Sequence, residues 1–266
     1  MKVENNIGII LPVFELNDET KVLLGSAIES VKQQKVRPDE LVIVVPKDSE
    51  DATYVKSLDF GDYSDSVTIA ENDGETDFQS QINYGINVSK SEWFSILEQD
   101  DEYADIWFKN VIKYQKAYEN IDIFLPIIVD VNKDNHFTGL SNEAVWANSF
   151  SDELGILDNG ALLSYQGFNT DGMVMRKATY LEHGGFKPSI KLTFIYEFLL
   201  RMTFKDVKVM VVPKFGYKHM NQRNGSLFAN YVKTIDGIEA RWWLATAKKE
   251  FYFPKDRKIT YTPENA

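Results

Sequence analysis

The chain of 266 residues contains no cysteine. That excludes disulfides, thiolate zinc sites and cysteine nucleophiles. Histidine is scarce: His136, His183 and His219 are the whole supply, too few for a multi-histidine metal cage. Positive charge is also short, with 29 Lys and Arg against 40 Asp and Glu and a net −11 at neutral pH. A surface that acidic repels phosphate backbones and anionic lipid. General nucleic-acid or membrane-surface binding is therefore disfavoured, and room is left only for a local basic pocket that takes a phosphorylated small molecule. No apolar run approaches the length of a membrane span. The N-terminal run is short and is closed by Pro12, unlike a secretory signal. The expectation is a soluble, intracellular protein, cytoplasmic, or in the host cytoplasm if viral.

What is present suffices for a large core. Apolar residues make up 44% and aromatics 13%, which argues against disorder. Ile7 to Val13, Leu41 to Val45, Val67 to Ala70 and Trp93 to Leu97 read as strands. Between and after them lie helical patterns at Thr20 to Gln34, Thr76 to Val88 and around Phe108 to Tyr118. Uninterrupted apolar strands alternating with helices predict a mostly parallel sheet covered on both faces. The second half is less regular. Strands are expected at Ile121 to Val129, Gly172 to Met175 and Val207 to Val212. Helices are expected at Ala178 to His183 and Phe194 to Phe204, with a long amphipathic one from Leu227 to Glu250 that buries Trp242. The polar stretch from Asn132 to Phe168 is too long for an ordinary connection and is expected to shape a site or carry short helices. With no repeat, low-complexity tract or clear linker, one continuous domain is expected.

The fourth strand runs into Glu98-Gln99-Asp100-Asp101. Ligands of parallel sheets bind outside the strand carboxyl ends, and hard carboxylate oxygens there suit Mg²⁺ or Mn²⁺ and a diphosphate. The alternative is a solvated acidic turn capping the next helix.

Four segments carry a resemblance. The stretch NYGINVSKSEWFSILEQDD resembles the metal-site segment of family-two glycosyltransferases of the GT-A fold, with Asn83, Gly85, Ile86, Glu92, Asp100 and Asp101 in matching positions. Glu98 stands where the first Asp of the Asp-x-Asp motif belongs. IGIILPVFE is similar to the family's opening strand, and Pro12, Val13, Phe14 and Glu15 are the equivalents of the backbone that cradles the nucleotide base. ELVIVVPKDSED resembles the strand that normally ends in Asp-Asp-Gly-Ser. Pro46 and Lys47 replace the leading Asp, with Asp48 nearby as its substitute. The segment around Gly184-Gly185-Phe186 resembles the acceptor side, with Arg176 and Arg201 in place. The expected Glu-Asp pair falls on Phe194 and Ile195, and Glu197 follows. GYKHMNQRNGSL brings His219, Lys218 and Arg223 where the family places a His near the diphosphate.

The resemblance implies an α/β, GT-A-type single domain with a Rossmann-like, mostly parallel central sheet and helices on both faces. Residues 1–226 would form it, with a nucleotide-binding half over about 1–102 and an acceptor half over about 103–226, followed by a C-terminal helix and tail over 227–266. It implies metal-dependent transfer of a hexose from a nucleoside-diphosphate sugar, a UDP-sugar first, to a hydroxyl of a glycan, lipid or protein, with inversion. Pro12, Val13, Phe14, Glu15, Asp48, Asn83, Glu98, Gln99, Asp100, Lys218 and Arg223 would bind the donor. Asp100, with Glu98 and His219, would hold Mn²⁺ or Mg²⁺. Glu197, the only acid between Glu182 and Asp206, would be the general base; its competing role is an i,i+4 ion pair with Arg201. Trp146 is the expected acceptor platform. Two other functions compete. A sugar nucleotidyltransferase would carry a Gly-rich basic loop after the first strand, which PVFELNDET lacks. A degenerate GT-A fold would bind a glycan or partner without catalysis.

Overall fold

The computed structural model describes residues 6–147, 153–221, 227–234, 241–242 and 245–246. Strand β1 (Ile7–Pro12) is buried throughout and sends its side chains alternately to two cores. Helix α1 (Asp18–Lys32) starts at a reciprocal cap, in which Asn17 Oδ1 accepts from Thr20 N and Thr20 Oγ1 accepts from Asn17 N. Strand β2 (Glu40–Pro46) lies parallel to β1. Helix α2 (Glu50–Lys56), capped by Ser49, follows; its seven residues are too few to show a period in the sequence. Strand β3 (Val67–Asn72) pairs parallel to β2, helix α3 (Phe78–Val88) crosses back, and β4 (Trp93–Ile96) pairs parallel to the other side of β1.

The second half adds β5 (Glu102–Tyr103), α4 (Trp107–Ala117), β6 (Ile123–Val131), β7 (Phe137–Ser141), β8 (Ile156–Leu157), α5 (Asn159–Ser164), β9 (Val174–Arg176), α6 (Lys177–Glu182), α7 (Phe194–Phe204), β10 (Val209–Met220) and α8 (Leu227–Thr234). The sheet order is β3-β2-β1-β4-β9-β6-β10-β5, with β7 on β6 and β8 on β10. The longest ladder, β6 with β10, is parallel, as are all pairs among β1 to β4. Strand β9 is inserted antiparallel between β4 and β6.

Strand alternation builds the two cores. Ile7, Ile9 and Leu11 pack with Leu24, Ala27 and Val31 of α1 and with Phe108 and Val111 of α4. On the other face Ile10, Val42, Val44, Phe94 and Ile96 pack with Ile82 and Ile86 of α3 and with Phe198 and Leu199 of α7. The fold is thus the single α/β domain, helices on both faces, that the resemblance implies.

Three departures have physical causes. Strand β10 runs well past the expected Val212, because register shifts between Val211 and Tyr217 break its alternation in the middle. The polar stretch after β6 carries β7, β8, α5 and a short 3₁₀ turn. It is tied down by the buried Asn142, which donates to Pro126 O and Asn169 O and accepts from Asn169 N. Trp242, expected in the core, is 56% exposed, and so is Val232. Most of the expected C-terminal helix beyond Thr234 lies outside the described residues. Among the described residues no helix is long and apolar enough to cross a membrane.

Gly85 explains how closely α3 approaches the sheet. A Cβ there would lie 2.6 Å from Ile10 Cγ2 and 2.7 Å from Val44 Cγ2. Gly85→Ala is expected to lower stability by about 1–3 kcal/mol in urea unfolding. Gly25→Ala, on α1 with nothing within 4 Å of the added carbon, is expected to raise it by up to about 1 kcal/mol. Equal effects of the two would contradict this packing.

Candidate active site

A cavity of about 670 Å³ opens where β1, β4, β6 and β10 end and β9 begins. One wall is the loop after β1. Pro12, Phe14 and Glu15 line it, while Val13 is fully buried and anchored by its N–H to Val44 O and its carbonyl to Gln81 Nε2. Glu15 takes a left-handed φ of 42°. The Phe14 ring lies 6.3 Å from Phe78 at 29°, and Phe78 lies 5.6 Å from Phe194. All three rings face the cavity.

The second wall is the acidic turn after β4. Gln99 joins it to the first wall: its Oε1 accepts from Phe14 N at 2.8 Å and its Nε2 donates to Phe14 O at 3.0 Å. The side-chain amide thus acts as an extra strand partner across 85 residues of sequence. Glu98 and Asp100 line the cavity beside it. Asp101 turns inward and is buried. Its Oδ1 accepts from Met220 N at 2.7 Å, and its Oδ2 lies 3.1 Å from His219 Nδ1.

His219 is the centre of this wall. Its Nδ1 is also 3.2 Å from Asp171 Oδ2, and its Nε2 is 3.0 Å from Asn221 Oδ1. Asn221 Nδ2 donates to Asp130 Oδ1 at 3.1 Å, which fixes the orientation of the amide. An amide oxygen only accepts, so Nε2 carries a proton, and Nδ1 faces two carboxylates. Burial pulls the imidazole pKa down, but the charge and hydrogen bond of Asp101, then Asp171 and Glu98, outweigh it and hold it well above the ordinary value. Glu98 is pushed well above the usual carboxylate range by burial first, then by Asp171, Asp101 and Asp100. Burial pushes Asp171 up to about 6.

One ligand atom each from Asp101, Asp171 and His219 lies within 4.8 Å of the others. The 3.1 and 3.2 Å separations approach the edge of an octahedron with bonds of about 2.1 Å, roughly 3 Å. Two carboxylates and an imidazole fit a divalent cation, provided that Nδ1 gives up its proton on binding.

The remaining expected residues are placed as follows. Asn83 lies away from the cavity and is part of the scaffold: its Nδ2 donates to Phe186 O at 2.9 Å and its Oδ1 accepts from Tyr180 Oη at 2.6 Å. Asp48 sits exposed in a left-handed turn after β2 and does not line the cavity. Lys218 points to Glu102 at 2.5 Å instead of into the cavity. Trp146 is not at the cavity; its indole N–H donates to Val211 O at 3.1 Å and its ring packs on the core. Arg223 lies outside the described residues. Glu197 departs furthest from its expected place. It is buried off the cavity, with Oε1 2.7 Å from Arg201 Nε and 2.8 Å from Lys187 Nζ. The competing i,i+4 pair is therefore the one that forms.

The sequence reading missed Asp171 and Asp130. Asp171 precedes the strand expected at Gly172, and an acid at a strand edge after a long polar segment was the only signal. Asp130 lies just past the strand expected to end at Val129. Among the described residues the aromatic side chains at the cavity are Phe14, Phe78, Phe168, Phe194, Tyr196 and Tyr231, with no tryptophan.

A family model described as Glycosyl transferase family 2 matches residues 9–184. Among curated proteins none matches the sequence. Among solved structures, S. aureus TarS 1-349 in complex with UDP-GlcNAc is similar at a TM-score of 0.61 and 14% identity, over 84% of this chain and 60% of that one. The same protein in complex with UDP gives 0.60 and 12%, over 92% and 79%. A further structure of S. aureus TarS gives 0.58 and 13%, over 94% and 44%. At these identities the likeness is one of fold, and this chain spans 60% of the first of those chains and 44% of the last.

The raised Asp171 pKa fixes the sign of a pH effect. A carboxyl that holds its proton more tightly when folded costs stability once it ionises. That cost is absent below the unfolded pKa of about 4 and grows as pH rises to about 6. In metal-free buffer, Asp171→Asn is expected to gain melting temperature relative to wild type as pH rises through this window. A difference that shrinks would contradict the buried cluster.

Proposed function

The chain belongs to glycosyl transferase family 2, and from that premise we propose that it transfers a hexose from a UDP-sugar to a hydroxyl acceptor in this cavity. The observation that carries the reading is the Gln99–Phe14 amide pair. It joins the two segments that the family uses for the nucleotide, the loop after β1 and the acidic turn after β4, into one cavity wall. The solved neighbours in complex with UDP and with UDP-GlcNAc support a UDP-sugar as the donor.

In this reading the base lies along Pro12, Phe14 and Glu15 with the Phe14–Phe78 pair beside it, a flat apolar surface suited to a planar ring. The diphosphate lies at Asp100 and His219. Among the described residues His219 is the positive group of the acidic wall while no metal is bound; on metal binding it would give up its Nδ1 proton and become a ligand. A divalent cation, Mn²⁺ or Mg²⁺, held by His219, Asp171 and Asp101 with Asp100 and Glu98 beside them, would neutralise charge on the departing diphosphate. The hexose then points toward Asp130, Ser141 and Asn221. An acceptor hydroxyl entering there attacks the face opposite the diphosphate, which gives inversion. A glycan, lipid or protein hydroxyl would serve as acceptor.

The test is a panel of UDP-sugars with Mn²⁺ or Mg²⁺, scored by UDP release with water as acceptor. Wild type is expected to release UDP from at least one, to stop in chelator, and to slow by about 100-fold or more in Asp100→Ala. Release of pyrophosphate from a sugar phosphate and UTP would identify a nucleotidyltransferase. Absence of any UDP binding would leave a binding module.

A further inference from the structure

Transfer to a hydroxyl needs a group that takes its proton, and Glu197 is committed to Arg201 and Lys187 away from the cavity. Among the described residues five carboxylates line the cavity: Glu15, Glu98, Asp100, Asp130 and Asp171. Glu15 is exposed on the loop proposed to meet the base. Asp171 is 3.2 Å from the His219 imidazole, and Glu98 belongs to the same acidic cluster. Asp100 belongs to the same acidic turn, where the diphosphate is proposed to lie. Asp130 is placed differently.

Asp130 sits on β6 opposite His219 in the parallel ladder with β10, one strand away from the acidic wall. It is 8% exposed and still lines the cavity. Ser141 Oγ donates to its Oδ2 at 2.8 Å, and Asn221 Nδ2 donates to its Oδ1 at 3.1 Å. The donors come from β7 and from the residue after β10, the two strands that pair with β6 at Asp130, so they hold the carboxylate from both sides. Both are uncharged, unlike the two cations that occupy Glu197. An ionised carboxylate offers about four acceptor sites, so two hydrogen bonds leave acceptor capacity for a third partner. Asn221 ties this carboxylate to the His219 imidazole through its Oδ1. The proton acceptor and the diphosphate side of the cavity are thus one connected unit.

We infer that Asp130 is the general base of this site. The acceptor's O–H proton passes to the Asp130 carboxylate while the oxygen bonds to the anomeric carbon. The bond from that carbon to the diphosphate oxygen breaks, and its electron pair leaves with the nucleoside diphosphate. Ser141 and Asn221 are positioning residues that keep the carboxylate aimed at the acceptor. The inference rests on the proposed function, and the experiment separates the two.

Calorimetry with UDP and Mn²⁺, and UDP release from UDP-GlcNAc with water as the acceptor, are measured on wild type, Asp130→Asn and Ser141→Ala. Asp130→Asn is expected to bind UDP as wild type does and to release it about 100-fold more slowly, or slower still. Ser141→Ala keeps the carboxylate and loses one donor, so release slows less, at unchanged UDP affinity. If wild type binds and releases UDP and Asp130→Asn releases it at the same rate, the assignment of the base is overturned while the function stands. If wild type does neither, the function falls and the base with it. Should Asp130→Asn not fold, Ser141→Ala decides: slower release at unchanged affinity upholds the assignment, and unchanged release overturns it.

Discussion

The buried carboxylate of Asp101 ties the site together. One oxygen takes the backbone N–H of Met220 and the other faces His219. The turn after β4 and the end of β10, 119 residues apart, are thereby held side by side. A charge taken out of water needs partners of this quality, and here the partners come from the far end of the sheet. With Asp101 turned inward, Glu98 and Asp100 are turned toward the cavity. The same residue leads the site's electrostatics: its charge and hydrogen bond, ahead of Asp171 and Glu98, hold the proton on His219 against the pull of burial.

Two kinds of order meet at this cavity. The acidic wall is polar, connected and charged, running from Asp101 through His219 and Asn221 to Asp130. The opposite wall is aromatic, with Phe14, Phe78 and Phe194 in successive contact. With a divalent cation on the acidic wall, a ligand with a flat ring at one end and anionic and hydroxyl groups at the other would fit that polarity, and a nucleoside-diphosphate sugar has this form.

The first half of the fold was legible because β1, β2 and β4 are buried on both faces and read as unbroken apolar runs, while α1 and α3 show a helical period. Short elements, such as the seven-residue helix α2 and the two-residue strand β5, carry too few residues to show any period. Strand β10 was cut short in the reading because its irregular register near Pro213 to Gly216 hides the alternation. Within the site, the turn after β4 and the loop after β1 stood out through the resemblance. Its matching positions proved to be of two kinds, however. Asn83 and Gly85 match because they hold α3 against the Gly185-Phe186 turn and the sheet, whereas Asp100 faces the cavity. Asp130 and Asp171 were out of reach because their place depends on strands far apart in sequence: β9 must slot between β4 and β6, and β10 must run alongside β6. Trp146 was misplaced for a simpler reason. An aromatic in a polar segment looks available for a sugar, yet its indole N–H and ring were needed to anchor that segment on β10.

Crystals grown with UDP and Mn²⁺ test the central claim most directly, read by anomalous scattering at the manganese edge. The account predicts a manganese peak among His219, Asp171, Asp101 and Asp100, with the diphosphate against it and the uracil beside Phe14. Nucleotide bound outside this cavity, or manganese bound away from His219, would contradict it.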